Sequence, residues 1–537
     1  MLGLLLLCGW LGLGSGEVFT AMADMESLLG AEKQVTSVID RYIDYEQERL
    51  AKLRQFAKEY QKRNEDALKV GSDFVSNPVN AYLLIKRLTS DWGFVESMMK
   101  NNLAEEFLGN ITSQRAGSSV RFPDEEDLKG AADALLRLQD TYRLSTADIA
   151  DGRIQGSLFP APLNGLSRSM SCHLRPHDCF ELGRVAYNNQ DYYHTVLWMR
   201  EAMERMKVEE EPSVKEEDIL EYLAYGLYQQ GNVKRALALT ERLAQIMPDH
   251  PRAQGNIDYY RGELGSEMPQ GKGDLADLPP EVNPRPGDSG IPEREMYEAL
   301  CRGEVPVSPK TFSKYYCYYK RDRPFLWLAP VKVEIAYLDP LIVKFVDIIG
   351  DEEVEAIKRL ATPKLARATV QNSVTGELES ATYRISKSAW LKAEDDEVIE
   401  RMNKRIGLLT NLNMDTAEDL QIANYGLGGH YDPHFDFARK EETNAFKGLG
   451  TGNRIATILF YMEAPEAGGA TVFPELRLTI PPTRHDCAFW YNLRKDGEGD
   501  MRTRHAACPV LSGQKWVANK WIHERGQEWT RFPYQSH

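Results

Sequence analysis

The chain of 537 residues has no basic field: acidic residues outnumber basic ones and the formal net charge is −15. That excludes a uniformly cationic surface of the kind that holds nucleic acid, leaving open only a local patch. It also lacks a membrane span, because beyond residues 2–13 no segment is apolar enough to cross a bilayer. That first apolar run ends in Gly14, Ser15 and Gly16. It is too short to span and reads as a secretory signal over residues 1–16, although no Lys or Arg precedes it. Cysteine is scarce, with seven in all. Cys8 falls in the leader, so the other six can pair in an oxidising compartment. Cys301 and Cys317 enclose a short loop and are expected to bridge, contributing roughly 3 kcal/mol on the chain-entropy view. Cys172 with Cys179, and Cys487 with Cys508, are further possible pairs. No Lys-Asp-Glu-Leu type retrieval signal closes the chain, so residence in the endoplasmic reticulum lumen would need a separate tether. One glycosylation sequon is present, Asn110-Ile111-Thr112.

The length fits three or four domains. Over residues 19–64, Ile39, Ile43, Leu50, Leu53, Ala57 and Tyr60 recur at steps of three and four, interrupted by Glu46. This predicts a long amphipathic, coiled-coil-like helix that packs on a second copy of itself or within its own chain as a hairpin. With helical periodicity at 81–88 and 126–142, residues 17–145 read as one helical domain. Next, Leu220, Leu223, Ala224, Leu227, Ala236, Leu243 and Pro248 fall at tetratricopeptide positions, and an earlier copy carries Cys179, Leu182, Gly183, Ala186 and Ala202. We assign 146–262 to this tetratricopeptide-like domain. Its concave face is expected to carry Phe180, Arg184, Tyr187, Tyr225 and Tyr228, with Tyr192, Tyr193 and Tyr222 close by. Flat rings bearing a hydroxyl suit a polyproline II ligand, so these residues form a candidate peptide groove. The alternative is that most of these tyrosines pack between helices.

Residues 263–296 are rich in proline and glycine and read as an extended linker. From about residue 331 short strand-like runs recur, at 420–424, 454–461, 470–473, 478–480, 488–491 and 516–521, separated by turns such as Gly468-Gly469. The fold class is therefore multidomain α + β, with a C-terminal jelly-roll (double-stranded β-helix) domain over 297–537 and a barrel core at about 415–530.

In that half, His434 and Asp436 are spaced to share one face of an extended strand. His505 is the best third donor, since two His and one carboxylate leave open positions of the type used by non-haem Fe(II) oxygenases. If 2-oxoglutarate supplies electrons, its distal carboxylate needs a buried cation. Lys515, beside Trp516 and Val517, is expected to return on a strand next to that of His505.

The chain resembles the collagen prolyl 4-hydroxylase α-subunit family. The resemblance rests on Arg384-Ile385-Ser386-Lys387-Ser388-Ala389-Trp390-Leu391, on residues 424–436, on Ala467-Gly468-Gly469-Ala470-Thr471-Val472-Phe473-Pro474, and on Gly497-Glu498-Gly499-Asp500. Residues 520–528, Ala134-Leu135-Leu136-Arg137-Leu138-Gln139-Asp140-Thr141-Tyr142 and Asp191-Tyr192-Tyr193-His194-Thr195 carry it too. It implies a catalytic subunit that hydroxylates proline to 4-hydroxyproline in X-Pro-Gly repeats of procollagen while decarboxylating 2-oxoglutarate to succinate with O2, Fe(II) and ascorbate. His434, Asp436 and His505 match the iron ligands and Lys515 the carboxylate partner. His523 matches a histidine that assists cosubstrate binding or decarboxylation, and Tyr425, Thr471 and Trp521 match pocket-lining positions. His430 matches nothing. The resemblance further implies a dimerisation domain in the N-terminal helices and a protein disulfide isomerase β subunit in an α2β2 tetramer. The family also pairs the equivalent of Cys508 with a cysteine near the C-terminus. Here the chain ends without one, and Cys487 is the expected substitute. A lysyl hydroxylase is disfavoured by Lys515 in place of arginine. A non-catalytic adaptor is disfavoured because all four site residues are present.

Overall fold

The computed structural model describes residues 18–70, 88, 92–100, 104–105, 107, 109, 124–154, 173–210, 212–265, 278–287, 291, 293–371, 378–380, 383–426, 428–442, 446, 449–528 and 530. The expected leader, Asn110, Cys172 and all but residue 88 of the helix expected over 81–88 lie outside them. Two compact units emerge, residues 24–122 and the remainder.

In the smaller unit, the expected long helix is α1 (Met22–Val70). It packs on a partner within its own chain: Phe56 meets Phe94 of α2 (Trp92–Lys100), Tyr42 and Tyr45 flank Phe107, and Arg49 donates to the Met98 carbonyl. Glu46, the break in the stripe, is held by Arg49 at 2.6 Å. The stripe residues Ile39, Ile43 and Leu50 stay exposed.

The larger unit begins with α3 (Glu125–Tyr142), whose start is fixed by a capping box between Asp124 and Asp127 and whose end is a left-handed Arg143. Short α4 (Thr146–Ala150) follows. Then come α5 (Pro176–Asn188), α6 (Tyr192–Met206), α7 (Glu216–Gln229), α8 (Val233–Ile246) and α9 (Ala253–Leu264). The pairs α5–α6 and α7–α8 pack as successive helical hairpins. Gly183 lets α6 come close, because a Cβ there would lie 2.9 Å from the Met199 side chain. The proline-rich stretch that follows is not a free tether over 278–287. Asn232 exchanges hydrogen bonds with the backbone of Val282, Asn283 donates to the Tyr193 carbonyl, and Glu281 pairs with Arg200. Helix α10 (Arg294–Cys301) then leads into the sheets.

The strands are β1 (Cys317–Lys320), β2 (Val331–Leu338), β3 (Leu341–Val346), β4 (Ala366–Arg367), β5 (Thr369–Gln371) and β6 (Leu378–Ser380). They continue with β7 (Arg384–Ile385), β8 (Lys387–Leu391), β9 (Leu420–Tyr425), β10 (His430–His434), β11 (Arg454–Glu463) and β12 (Ala467–Gly468). The last are β13 (Thr471–Phe473), β14 (Leu478–Ile480), β15 (Cys487–Tyr491), β16 (His505–Ala507), β17 (Val510–Ser512) and β18 (Lys515–His523). A nine-stranded sheet runs β1-β2-β3-β15-β11-β18-β9-β8-β4 and a five-stranded sheet β14-β13-β16-β10-β7. Every pairing is antiparallel, β10 to β16 and β18 to β9 included. An inner core including Tyr425, Tyr461, Phe473, Trp490 and Val517 draws on both sheets. The outer face of the nine-stranded sheet is covered by α13 (Asp351–Ala361) and α14 (Glu397–Thr410), after the short α11 (Pro309–Phe312) and α12 (Pro324–Leu328). The five-stranded sheet shares its outer core with α3, α10 and the helical hairpins.

The disulfide differs from the expectation. Cys301 bonds Cys508, with Cα atoms 5.6 Å apart, whereas Cys317 is exposed and Cys487 buried, both as thiols. Short sequence separation misled, because Cys317 opens β1 at the far edge of the nine-stranded sheet. Cys301 ends α10, which lies on β13 and β14, and β13 pairs with β16 just before Cys508. Cys487 is not the substitute partner: it sits mid-sheet, paired with Phe460 and Phe345. No helix among the described residues is long and apolar enough to cross a membrane.

Candidate active site

His434 closes β10 and His505 opens β16, and the two are register partners across that antiparallel pair. Asp436 lies just past the end of β10, where the chain bends. Side-chain donors of the three lie within 4.8 Å of one another. The Asp436 carboxylate stands 3.7 Å from His434 Nε2 and 3.5 Å from His505 Nε2. The other ring nitrogens are committed: His434 Nδ1 faces the Asp432 carbonyl at 2.7 Å and His505 Nδ1 the Thr503 carbonyl at 3.0 Å. Each imidazole therefore has one available nitrogen, Nε2, directed toward the carboxylate. Burial, reinforced by the neighbouring His505, pushes His434 down to about 3, so it is neutral and able to ligate. Burial alone would raise Asp436, but His505, His434, Arg454 and the Thr457 hydroxyl at 2.7 Å hold it below its ordinary value. Two imidazoles, each with Nε2 free, and one ionised carboxylate in a buried cluster fit Fe(II).

The cavity beside the triad is lined by Tyr425, Thr471, Lys515 and Trp521, all four of the residues matched to the pocket. Lys515 is 1% exposed, its ammonium lies 4.8 Å from the Tyr425 ring centre, and burial without a counter-charge pushes it down to about 7. Its route differs from the expected one. After β17 pairs with β12, the turn at Gly513 sends the chain to the opposite sheet, so Lys515 enters beside Tyr425 of β9 and not beside His505. The hydroxyl of Thr471 accepts from Tyr461 at 2.8 Å.

His523 lies on the same strand as Lys515 but does not line the cavity. It is fully buried, with Nδ1 near the Gly452 carbonyl and the Thr451 hydroxyl and Nε2 2.9 Å from Glu418. Glu418 also binds Arg454, whose guanidinium stacks 3.8 Å from the Trp521 ring centre and reaches the Asp436 carbonyl. His523 thus touches the site through two intermediaries. His430 is buried apart from the triad, 3.5 Å from Asp432.

Sequence reasoning missed Arg384, Gln421, Tyr431, Trp490 and Asn519, which also line the cavity. Arg384 donates to Gln421 at 2.9 Å and lies over Tyr431, whose ring stacks on His434. Period-two alternation along β9 and β18 carried the signal: Gln421, Ala423 and Tyr425 face inward, as do Lys515, Val517, Asn519 and Trp521.

In the helical hairpins, Phe180, Tyr222, Tyr187, Tyr192, Tyr225 and Tyr228 form an unbroken chain of ring contacts, with centres 4.8–6.1 Å apart. Tyr259, not anticipated, extends it, its hydroxyl 3.0 Å from that of Tyr228. The tyrosines of the chain are half-buried except the exposed Tyr259, while Phe180 is buried at one end. Arg184 is exposed and paired with Glu181.

Comparison with known proteins places three families along the chain. Residues 21–156 match the prolyl 4-hydroxylase alpha-subunit N-terminal region, 176–265 the prolyl 4-hydroxylase peptide-substrate-binding domain, and 420–523 the 2OG-Fe(II) oxygenase superfamily. The chain is 60% identical to prolyl 4-hydroxylase subunit alpha-2 of Caenorhabditis elegans, over 99% of this chain and 96% of that one. It is 45% identical to subunit alpha-1 of Homo sapiens, over 96% and 95%. Among solved structures, the collagen prolyl hydroxylase of Paramecium Bursaria Chlorella virus-1 in complex with 2OG matches 34% of this chain and 94% of its own, at 26% identity and a TM-score of 0.28.

Proposed function

Because the chain belongs to the prolyl 4-hydroxylase α-subunit family, we propose an assignment of its working parts and its assembly. It is a procollagen-proline 4-dioxygenase, coupling hydroxylation of proline in X-Pro-Gly repeats to oxidative decarboxylation of 2-oxoglutarate. His434, Asp436 and His505 would hold iron, and the reading rests above all on that buried donor set. Fe(II) held there would supply the redox chemistry that couples O2 and 2-oxoglutarate to hydroxylation of proline, with ascorbate keeping it ferrous.

The protein's own residues position and exclude. The Lys515 ammonium pairs with the distal carboxylate of 2-oxoglutarate, a buried charge given its counter-ion only when cosubstrate arrives. Tyr425 and Thr471, which line the same cavity, would flank that carboxylate, and Trp521 completes the cavity wall. The backbone carbonyls of Asp432 and Thr503 hold the two imidazoles in the tautomer that frees Nε2. His523 contributes by orienting Glu418 and hence Arg454 against Trp521. The groove of Phe180, Arg184, Tyr187, Tyr192, Tyr225 and Tyr228 binds the proline-rich strand by ring contact.

The two sheets constitute a double-stranded β-helix. Residues 1–16 are the leader, 17–145 the dimerisation domain, 146–262 the peptide-binding domain, 263–296 the linker and 297–537 the oxygenase domain. The exposed Ile39, Ile43 and Leu50 provide an apolar surface for a second copy. The subunit works in the endoplasmic reticulum lumen, glycosylated at Asn110 and held in an α2β2 tetramer by protein disulfide isomerase. Succinate release from 2-oxoglutarate by the assembled complex, with Fe(II) and ascorbate, should rise on adding a (Pro-Pro-Gly) repeat peptide. Release that ignores the peptide would overturn the assignment.

A further inference from the structure

Residues 18–23 lead into the long helix α1 but belong with the larger unit. They form a single 3-10 turn, Val18–Thr20, and the first residues of α1. Val18, Phe19, Thr20 and Ala21 are at most 5% exposed. Two anchors hold the segment. On α3, the buried carboxylate of Asp127 accepts from the Val18 N–H at 2.5 Å, and the Phe19 ring fills the space that a side chain at Gly130 would need. At the end of β9, the Thr20 carbonyl accepts from the Gly426 N–H at 3.2 Å, and the Ala23 N–H donates to Asn424 Oδ1 at 3.4 Å.

Between Asn424 and Gly426 stands Tyr425, which lines the cavity beside the triad and lies against Lys515. Alternation along β9 turns Tyr425 inward and Asn424 outward. The fully buried Asn424 side chain therefore ties the two strands of the pocket together from behind. It accepts from the segment and donates through Nδ2 to the Lys515 carbonyl at 3.4 Å. Neither neighbour of β9 pairs with it beyond Tyr425, so the Gly426 amide is satisfied by the segment and not by the sheet. The fit is close: a Cβ on Gly426 would press on the Phe19 carbonyl and lie 2.7 Å from the Ala21 nitrogen. We propose that residues 18–23 are a positioning strap for the cosubstrate. By closing the outer side of the β9 end, they hold Tyr425 and Lys515 in the geometry that receives the distal carboxylate of 2-oxoglutarate. A segment 401 residues away in sequence thus completes the pocket. This rests on the cosubstrate-pocket reading above.

The test is equilibrium binding of 2-oxoglutarate, without O2, to the assembled protein loaded with Co(II) in place of iron. Gly426→Ala puts a methyl group where the strap lies and should weaken 2-oxoglutarate about tenfold, the loss expected for one or two hydrogen bonds. Phe19→Ala releases the other anchor and should act in the same direction. The double variant should be no weaker than the stronger single one, since both empty one seat. KM for a (Pro-Pro-Gly) repeat peptide should stay within about twofold of wild type. Linkage demands the reverse effect: in wild type, saturating 2-oxoglutarate should slow hydrogen exchange of residues 18–23 and of the Gly426 amide by about the same tenfold. A merely structural segment would not respond to cosubstrate. Gly426→Ala binding 2-oxoglutarate as wild type does would overturn the proposal, as would exchange that ignores 2-oxoglutarate. Should Gly426→Ala fail to fold, Phe19→Ala and the wild-type exchange measurement decide. Loss of the strap effect while Lys515→Met still weakens binding removes the strap alone, whereas unchanged binding in Lys515→Met removes the pocket reading beneath it.

Discussion

Along the groove, Tyr187, Tyr192, Tyr225 and Tyr228 stand half-buried with neighbouring ring centres 5.6–6.1 Å apart. In the pocket, His505, Asp436 and Lys515 are only 6%, 4% and 1% exposed. Apart from Arg184, paired with Glu181, the groove is assembled from neutral rings that pack on one another without a ligand, so losing one ring leaves the others. The pocket is assembled from buried charges and ligand atoms, whose partners in the proposed function are iron and cosubstrate, so each group would be needed. Binding by summed contact tolerates loss, while chemistry at a fixed point does not.

The sharpest way to break this comparison is at the metal. His434→Ala or His505→Ala should lower kcat by at least about a thousandfold, a loss on the scale of removing an essential catalytic group. Circular dichroism should be unchanged. Retained turnover in either variant would remove the distinction between the two regions.

Lys515→Met should raise KM for 2-oxoglutarate on the order of a hundredfold, because truncating one partner of a buried charge pair costs at least 2 kcal/mol. The pH dependence has a definite sign. With Lys515 at about 7 in the free pocket, its charged form prevails below that pH, and carboxylate binding needs no proton uptake. Above it each binding event must protonate the amine, so KM should climb by up to about tenfold per pH unit. A flat wild-type profile from pH 6.5 to 8.5 would show that Lys515 is not the group.

The disulfide closes the seam between helical half and sheets, and tests which pairing is real. Cys301→Ser and Cys508→Ser should each destabilise by about 2 kcal/mol, read as a drop in Tm, while the exposed Cys317→Ser should leave Tm unchanged. An equal drop for Cys317→Ser would contradict the Cys301–Cys508 bond.

What could be read from the sequence follows the same division. The triad was legible because His434 and Asp436 are neighbours in the chain and an oxygenase needs one more histidine. The clustering of the groove's aromatic rings was legible because the tetratricopeptide period fixes which side chains share a face. Three features depended on long-range closure and were not legible. The route of Lys515 turns on whether a turn at Gly513 stays in one sheet or crosses to the other. Cys301 meets Cys508 over a separation of 207 residues. His523 falls on the inward face of its strand, but Glu418, far away in sequence, claims its ring.

The smallest expected effect carries the central claim. Steady-state kinetics should be compared for wild type and for Tyr225→Ala with Tyr228→Ala, using a (Pro-Pro-Gly) peptide of three repeats and one of ten. Each ring contributes on the order of 1 kcal/mol, so KM for the long peptide should rise about tenfold or more in the double variant. Its kcat, and all constants for the short peptide, should stay as in wild type. A fall in kcat with KM unchanged would contradict the separation of binding groove from chemical pocket.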